Sequence, residues 1–204
     1  MGQTKERILV AALGLFARSG YEAVSVSDIA GELGMTKGAL YKHYRSKRDI
    51  FDHIVERMEQ QDAARAGEFH LPEGTLAEME EQYCSASLEA LAQYSAAQLH
   101  YWTEDAFAAP FRRLLTLEQY RSEELGRLYQ QYLAAGPLGY VADLLTSLGV
   151  DAPQRQAAAL YGAMFLFYSM YDGAEDGAAV LAQGEAYIAA WRQSLTVRGM
   201  RCGR

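Results

Sequence analysis

Five cations, Lys37, Lys42, Arg45, Lys47 and Arg48, fall within twelve residues that contain no acid. Ammonium and guanidinium groups at that density suit a polyanion: they displace counterions from phosphates, and a lysine can donate to guanine O6 and N7. The same run is also what an ordinary solvated face looks like, so the elements presenting it must decide. Competing chemistries find little support. His43, His53, His70 and His100 are scattered, and Glu104 and Asp105 are adjacent, so on a helix they point apart rather than forming an acid/base pair. There is no nucleophile elbow or phosphate loop. Cys84 and Cys202 are far apart and lack a surrounding His/Cys cluster, against both a disulfide scaffold and a Cys-rich zinc site. No catalytic residue, metal ligand or cofactor is expected, and the chain is not read as an enzyme.

The elements around the basic run are closely punctuated. A first helix is expected from Thr4 to Ser19, with Ile8, Leu9, Ala12, Leu13 and Phe16 inward and Gly20 as its stop. Ser25 with Asp28 predicts the cap of a short second helix ending at Gly34. Thr36 caps a third through Tyr44, and Ser46 with Asp49 caps a fourth carrying Ile50, Phe51, Ile54, Val55 and Met58. Two short helices crossing steeply need a small residue at closest approach, met by Ala30, and a turn residue tolerant of positive φ four positions on, met by Gly34. Residues 25–44 thus satisfy the demands of a helix-turn-helix with Lys37 and Gly38 at the tip of the reading helix. Glycine there costs a helix about 1 kcal/mol, sensible if backbone must approach DNA.

The runs Ser25-Val26-Ser27-Asp28-Ile29-Ala30, Gly34 to Tyr44, Ser46-Lys47 and Ile50-Phe51 closely resemble the tetracycline-repressor (TetR) family. The resemblance covers about fifty of the 204 residues; beyond it, only length, helicity and position match. It implies DNA contact through Ser25 (phosphate), Thr36 and Lys37 (phosphate or base edge), Tyr41 and His43 (the backbone flanking the groove) and Lys47. Base reading falls to Lys37, Lys42 and the short surface of Gly38 and Ala39. Tyr44 reads as core.

Four prolines and runs rich in Ala, Leu, Gln, Glu and Arg favour an all-α fold, with no alternating β-branched stretch to propose a sheet. The net charge of −7 is uneven: residues 1–50 hold eight Lys/Arg against five Asp/Glu, and residues 51–204 hold eleven against twenty-one. A weakly basic head on an acidic body suggests separate tasks, so 1–48 is assigned to DNA binding and 49–204 to a larger helical ligand-binding and dimerisation domain. In that body a loop is expected at 65–74, then helices at 75–101, 104–114 (kinked at Pro110), 117–135, 138–148, 153–171 and 178–198, with a frayed tail from Gly199.

The resemblance implies a homodimer formed by the last two helices, here with Leu160, Tyr161, Phe165, Tyr187, Ile188, Trp191 and Leu195. It implies a palindromic double-stranded operator and a small-molecule inducer that tilts the fourth helix to release DNA. Tyr83, Tyr94, Tyr101, Trp102, Phe107, Phe111, Tyr129, Tyr132, Met164 and Tyr168 could line the inducer's cavity, since tyrosine offers an apolar wall with a hydrogen-bonding tip. A regulator answering to a protein partner, or to no ligand, is the alternative. No run reaches 18 apolar residues and no cleavable leader is recognisable, so a soluble, cytoplasmic protein without membrane contact is expected.

Overall fold

The structure is a computed structural model that describes residues 2–72, 83 and 86–197. Ten helices are present among them: α1 (Gln3–Ser19), α2 (Val26–Glu32), α3 (Lys37–Leu40), α4 (Lys47–Glu68), α5 (Leu88–Glu104), α6 (Ala108–Glu118), α7 (Glu123–Leu133), α8 (Ala135–Ser147), α9 (Pro153–Gly173) and α10 (Gly177–Ser194). The fold is all-α. Among the described residues, β pairing is confined to one isolated antiparallel bridge, Val150 with Val197. No described helix is long and apolar enough to cross a membrane.

Packing divides the chain into two units, residues 1–61 with 105–129 and residues 62–104 with 130–204. This is a division by packing, whereas the expected 48/49 boundary separates tasks. In the first unit α1 turns Ile8, Leu9, Ala12, Leu13 and Phe16 inward, all fully buried, and packs against α6 and α2. Ile29, Leu40, Tyr44, Ile50, Ile54 and Phe111 complete that core. Leu33 and Met35, at the end of α2 and in the turn after it, are only half-buried. Glu6 and Arg57 form an ion pair, and the Arg57 guanidinium lies 3.9 Å from the centre of the Phe107 ring.

In the second unit α9 packs against α8 and α10, and α10 against α5. Leu99, Leu144, Leu145, Leu160, Met164, Tyr168, Ile188 and Trp191 are buried there. Gly184 marks the crossing of α10 with α5, where a Cβ would collide with Leu99. The same two helices are joined at the surface by His100, whose Nδ1 lies 2.8 Å from Glu104 and Nε2 2.7 Å from Glu185. Hydrogen bonds to those two carboxylates raise the His100 pKa. The sign follows: a raised folded-state pKa gives stability fully present below the unfolded value of about 6.5 and lost as pH climbs through the folded one. Resistance to thermal unfolding should therefore fall slightly as pH rises from about 6.5, by less than about 1 kcal/mol because the groups are solvent-screened. The His100→Gln variant should show a flatter pH profile; an unchanged profile would count against the pairing.

Several expected boundaries move, each for a local reason. α4 continues to Glu68 rather than giving way at 65, and α3 is a four-residue helix followed by hydrogen-bonded turns, with His43 N–H donating to Leu40 O and Tyr44 N–H also to Leu40 O. A helix from Thr75 to Tyr101 does not run unbroken: Ser87 caps a fresh start, its hydroxyl accepting from Ala90 N–H at 3.0 Å, and the helix reaches Glu104. The segment before it, 73–82, and the tail from Arg198 lie outside the described residues, as do both cysteines. Asp105 accepts from the N–H groups of Phe107 and Ala108 at 2.8 Å each, placing Pro110 in the first turn of α6 where no acceptor waits for its nitrogen. Pro137 likewise falls in the first turn of α8, so Gly136-Pro137 begins a helix instead of halting one.

Candidate nucleic-acid interface

The reading segment is built from three caps and two glycines. Ser25 accepts from Asp28 N–H at 3.2 Å while the Asp28 carboxylate accepts from Ser25 N–H at 2.8 Å, a reciprocal capping box that starts α2. The Ser25 hydroxyl also donates to that carboxylate at 2.7 Å, and these bonds hold the Asp28 pKa below its ordinary value. Met35 N–H reaches back to Ala30 O at 2.9 Å across Gly34, whose φ of 63° is the left-handed conformation the turn requires. Thr36 then starts α3 by accepting from Ala39 N–H at 3.2 Å. Ser46 starts α4 by accepting from Asp49 N–H at 3.0 Å, and Asp49 accepts from Arg45 N–H at 2.7 Å.

On this frame Thr36, Lys37, Gly38, Tyr41 and Lys42 are exposed, Ala39 and His43 half-buried, and Leu40 and Tyr44 inside. Tyr41 keeps 45% of its surface in solvent, with the Lys37 ammonium 5.9 Å from its ring centre. Gly38 has open space where a Cβ would stand. Ser25 is exposed, though its hydroxyl proton is engaged by Asp28, so a phosphate contact would require exchanging that bond.

Lys47 differs from its neighbours. Its ammonium donates to the carbonyls of Tyr21 at 2.8 Å and Glu22 at 3.3 Å, and it sits 4.3 Å from the centre of the Tyr21 ring. Arg48 is also committed internally, as a two-pronged pair with Glu124 at 2.6 and 2.7 Å and a bond to Asp52 at 2.6 Å. The Arg48 guanidinium holds the Glu124 carboxyl below the usual carboxylate range. Two of the five clustered cations are therefore committed to the protein itself, Lys47 to the α1–α2 turn and Arg48 to carboxylates on α4 and α7. Arg45, which sequence reasoning did not single out for DNA, has an exposed side chain beside His43 and Tyr44.

The residues that steady the α1–α2 turn were not legible in advance. Glu118, 3% exposed, accepts from Tyr21 N–H at 3.2 Å and from Arg121 at 3.3 Å. Beside it, Gly20 adopts φ 86° and ψ 156°, and a Cβ there would stand 2.5 Å from the Glu118 carboxylate. Together with Tyr21, Arg48, Phe51 and Glu124 these residues border a cavity of about 310 Å³. None of the ten residues expected to line an inducer cavity borders it.

Those ten residues do not share one packing unit. Tyr83, Tyr94, Tyr101, Trp102, Tyr132, Met164 and Tyr168 belong to the second unit, Phe107, Phe111 and Tyr129 to the first. Phe107 and Phe111 are 2% and 0% exposed, spent in the core that α6 makes with α1, because the Asp105 cap begins a separate helix there. The seven residues expected at a dimer seam differ in burial within the chain. Leu160, Ile188 and Trp191 are buried within the chain's own body, whereas Tyr187 is 36% exposed and Tyr161, Phe165 and Leu195 are half-buried. The large apolar surface left outside on α9 comes instead from Leu166 (57% exposed) and Met170 (40%). The apolar residues of 160–171 lie on nearly every side of the helix, which hides which face is which.

Comparison with known proteins places the reading segment in context. The sequence model of bacterial regulatory proteins of the tetR family matches residues 8–54. The HTH-type transcriptional regulator AcrR of Shigella flexneri is 40% identical over 57 residues, 28% of this chain and 26% of that protein. The HTH-type transcriptional regulator YerO of Bacillus subtilis is 45% identical over 50 residues, 24% of this chain and 17% of that protein. The matched stretch thus spans about a quarter or less of each curated relative. Over nearly the whole length, the structure is similar to that of SmeT in a complex with triclosan, with a TM-score of 0.65, 16% identity, and coverage of 97% of this chain and 94% of the other. At that identity the likeness is one of fold.

Proposed function

We propose that this chain, whose residues 8–54 match the sequence model of bacterial regulatory proteins of the tetR family, acts as a dimeric DNA-binding transcriptional repressor released from its operator by a small molecule. The observation that carries the DNA-binding half is the outward presentation of Thr36, Lys37, Tyr41 and Lys42 on a capped, glycine-hinged frame. Residues 1–48 hold the reading surface, and 49–204 supply the ligand-binding and dimerisation body. Ser25, Thr36, Lys37, Gly38, Ala39, Tyr41, Lys42 and His43 face the duplex in this reading, with Lys47 bracing the α1–α2 turn behind them.

A single short α3 has little interface, and specificity of regulatory quality asks for two. Leu166, Met170 and Tyr187, exposed on α9 and α10 among Ala158, Ala159, Gly162, Ala186 and Ala190, supply an apolar face with small residues that permit close approach of a second copy. A two-fold assembly reads a palindrome. Support for the ligand half is the aromatic content of the second unit and its likeness in fold to a protein solved with triclosan.

If each protomer neutralises three or four phosphates, binding to a duplex from the region upstream of its own gene should weaken with salt, giving a log–log slope of roughly −5 to −7. Fluorescence anisotropy across a salt series measures it directly. A slope near zero would end the DNA-binding reading, and a 23 kDa species alone in gel filtration at micromolar concentration would end the dimer.

A further inference from the structure

Tyr94, Gln98 and Tyr101 stand four and three residues apart on α5 and so share one of its faces. Arg65, from the last turns of α4, lies across that face. Its Nη2 donates to Ala97 O at 3.3 Å and its guanidinium stacks 4.0 Å from the centre of the Tyr101 ring. Gln98 is 7% exposed; its amide nitrogen donates to the Tyr94 hydroxyl, while its carbonyl Oε1 is buried with no partner. The Arg65 Nε–H is buried with no partner as well. An orphaned acceptor on α5 and an orphaned donor on the α4 arginine that lies against Ala97 and Tyr101 of the same helix therefore occur in one neighbourhood. Buried polar groups are almost always met by a partner, and two exceptions around one stretch of α5 ask for one.

The surroundings narrow what that partner is. Asp62, three residues before Arg65, offsets the guanidinium charge, and burial pushes the Asp62 carboxyl upward. Neither a strong anion nor a strong cation is called for. Rings continue from the polar end: Phe69 stands edge-on to Tyr94 at 5.6 Å, Tyr94 to Tyr140 at 6.4 Å, and Tyr140 to Tyr83 at 6.4 Å. Such edges and faces favour a planar aromatic guest. Burial pushes the Tyr94 hydroxyl up to about 12, as expected of a poorly solvated setting.

We propose that Gln98 and Arg65 form the polar end of a ligand site for an uncharged aromatic molecule bearing a hydroxyl group. The hydroxyl donates to Gln98 Oε1 and accepts from Arg65 Nε–H, and the ring lies toward the aromatic side chains. The inference rests on reading the body as a small-molecule receptor, and direct binding tests it without reference to DNA.

The test uses the full chain with naphthalene, 2-naphthol and 2-naphthoate as probes, followed by calorimetry or tryptophan fluorescence. The expected result is 2-naphthol binding about tenfold or more tightly than either of the others, the scale of one well-made hydrogen bond pair. In Gln98→Met, a substitution of similar length, that advantage should vanish while naphthalene binds as before. Equal affinity for 2-naphthol and naphthalene, no binding of any probe, or an advantage retained in Gln98→Met would overturn the proposal; water alone would then serve the two orphaned atoms. A parallel duplex titration separates the two ideas. Tight 2-naphthol binding with unchanged DNA affinity upholds the site and removes ligand release from the proposed function.

Discussion

Gly20→Ala is expected to destabilise the protein by about 2–4 kcal/mol, lowering the unfolding midpoint by up to about 10 °C. Two costs add. At φ 86° and ψ 156° the residue occupies backbone territory almost reserved for glycine, and an added Cβ would stand 2.5 Å from the buried Glu118 carboxylate. That carboxylate cannot retreat cheaply, because it accepts the Tyr21 N–H that closes the turn. Gly34→Ala provides the internal comparison: φ is 63° and nothing lies within 4 Å of the new methyl, so only the left-handed strain of about 1 kcal/mol applies. Urea unfolding of both variants measures the difference. Equal losses at the two positions would show that the Glu118 contact contributes nothing.

The contrast between these glycines also marks how far the sequence could be read. In the reading segment, the contacts three or four residues apart were legible: Ser25 with Asp28, Thr36 with Ala39, Ser46 with Asp49, and with them the left-handed Gly34. Gly20 was recognisable as a stop, but the carboxylate that makes it irreplaceable comes from 97 residues beyond Tyr21. Nothing in a local window ties Glu118 to that turn or Glu124 to Arg48, since loop closure over such distances is set by the packing of α6 on α1. Capping side chains downstream were similarly ambiguous: Ser87 and Asp105 break what hydropathy alone read as longer or differently placed helices. In α9 and α10 the limitation is different. Alanine and aromatic residues on all sides give no dominant stripe, so the burial of Leu160, Ile188 and Trp191 within the chain's own body did not show in the pattern. Where periodicity is weak, only coordinates distinguish a face that is covered from one that is not.

Among the basic residues, the structure divides cations that look outward from cations that look inward, and the division predicts two different phenotypes. Lys37→Ala combined with Lys42→Ala should leave the unfolding midpoint within about 1 °C, because both side chains are exposed and make no internal hydrogen bond. A dimer of this variant presents four fewer ammonium groups to a duplex. The log–log salt slope should shallow by about four, and affinity at moderate salt should fall by roughly two to three orders of magnitude. Lys47→Ala should do the reverse. Losing its bonds to Tyr21 O and Glu22 O and its place over the Tyr21 ring should cost about 1–2 kcal/mol of stability. Its salt slope should change by less than about one, since its ammonium is turned to the protein's own carbonyls. Paired denaturation and anisotropy measurements on the two variants decide the matter. A steep loss of slope in Lys47→Ala with unchanged stability would return that lysine to the duplex and remove its bracing role.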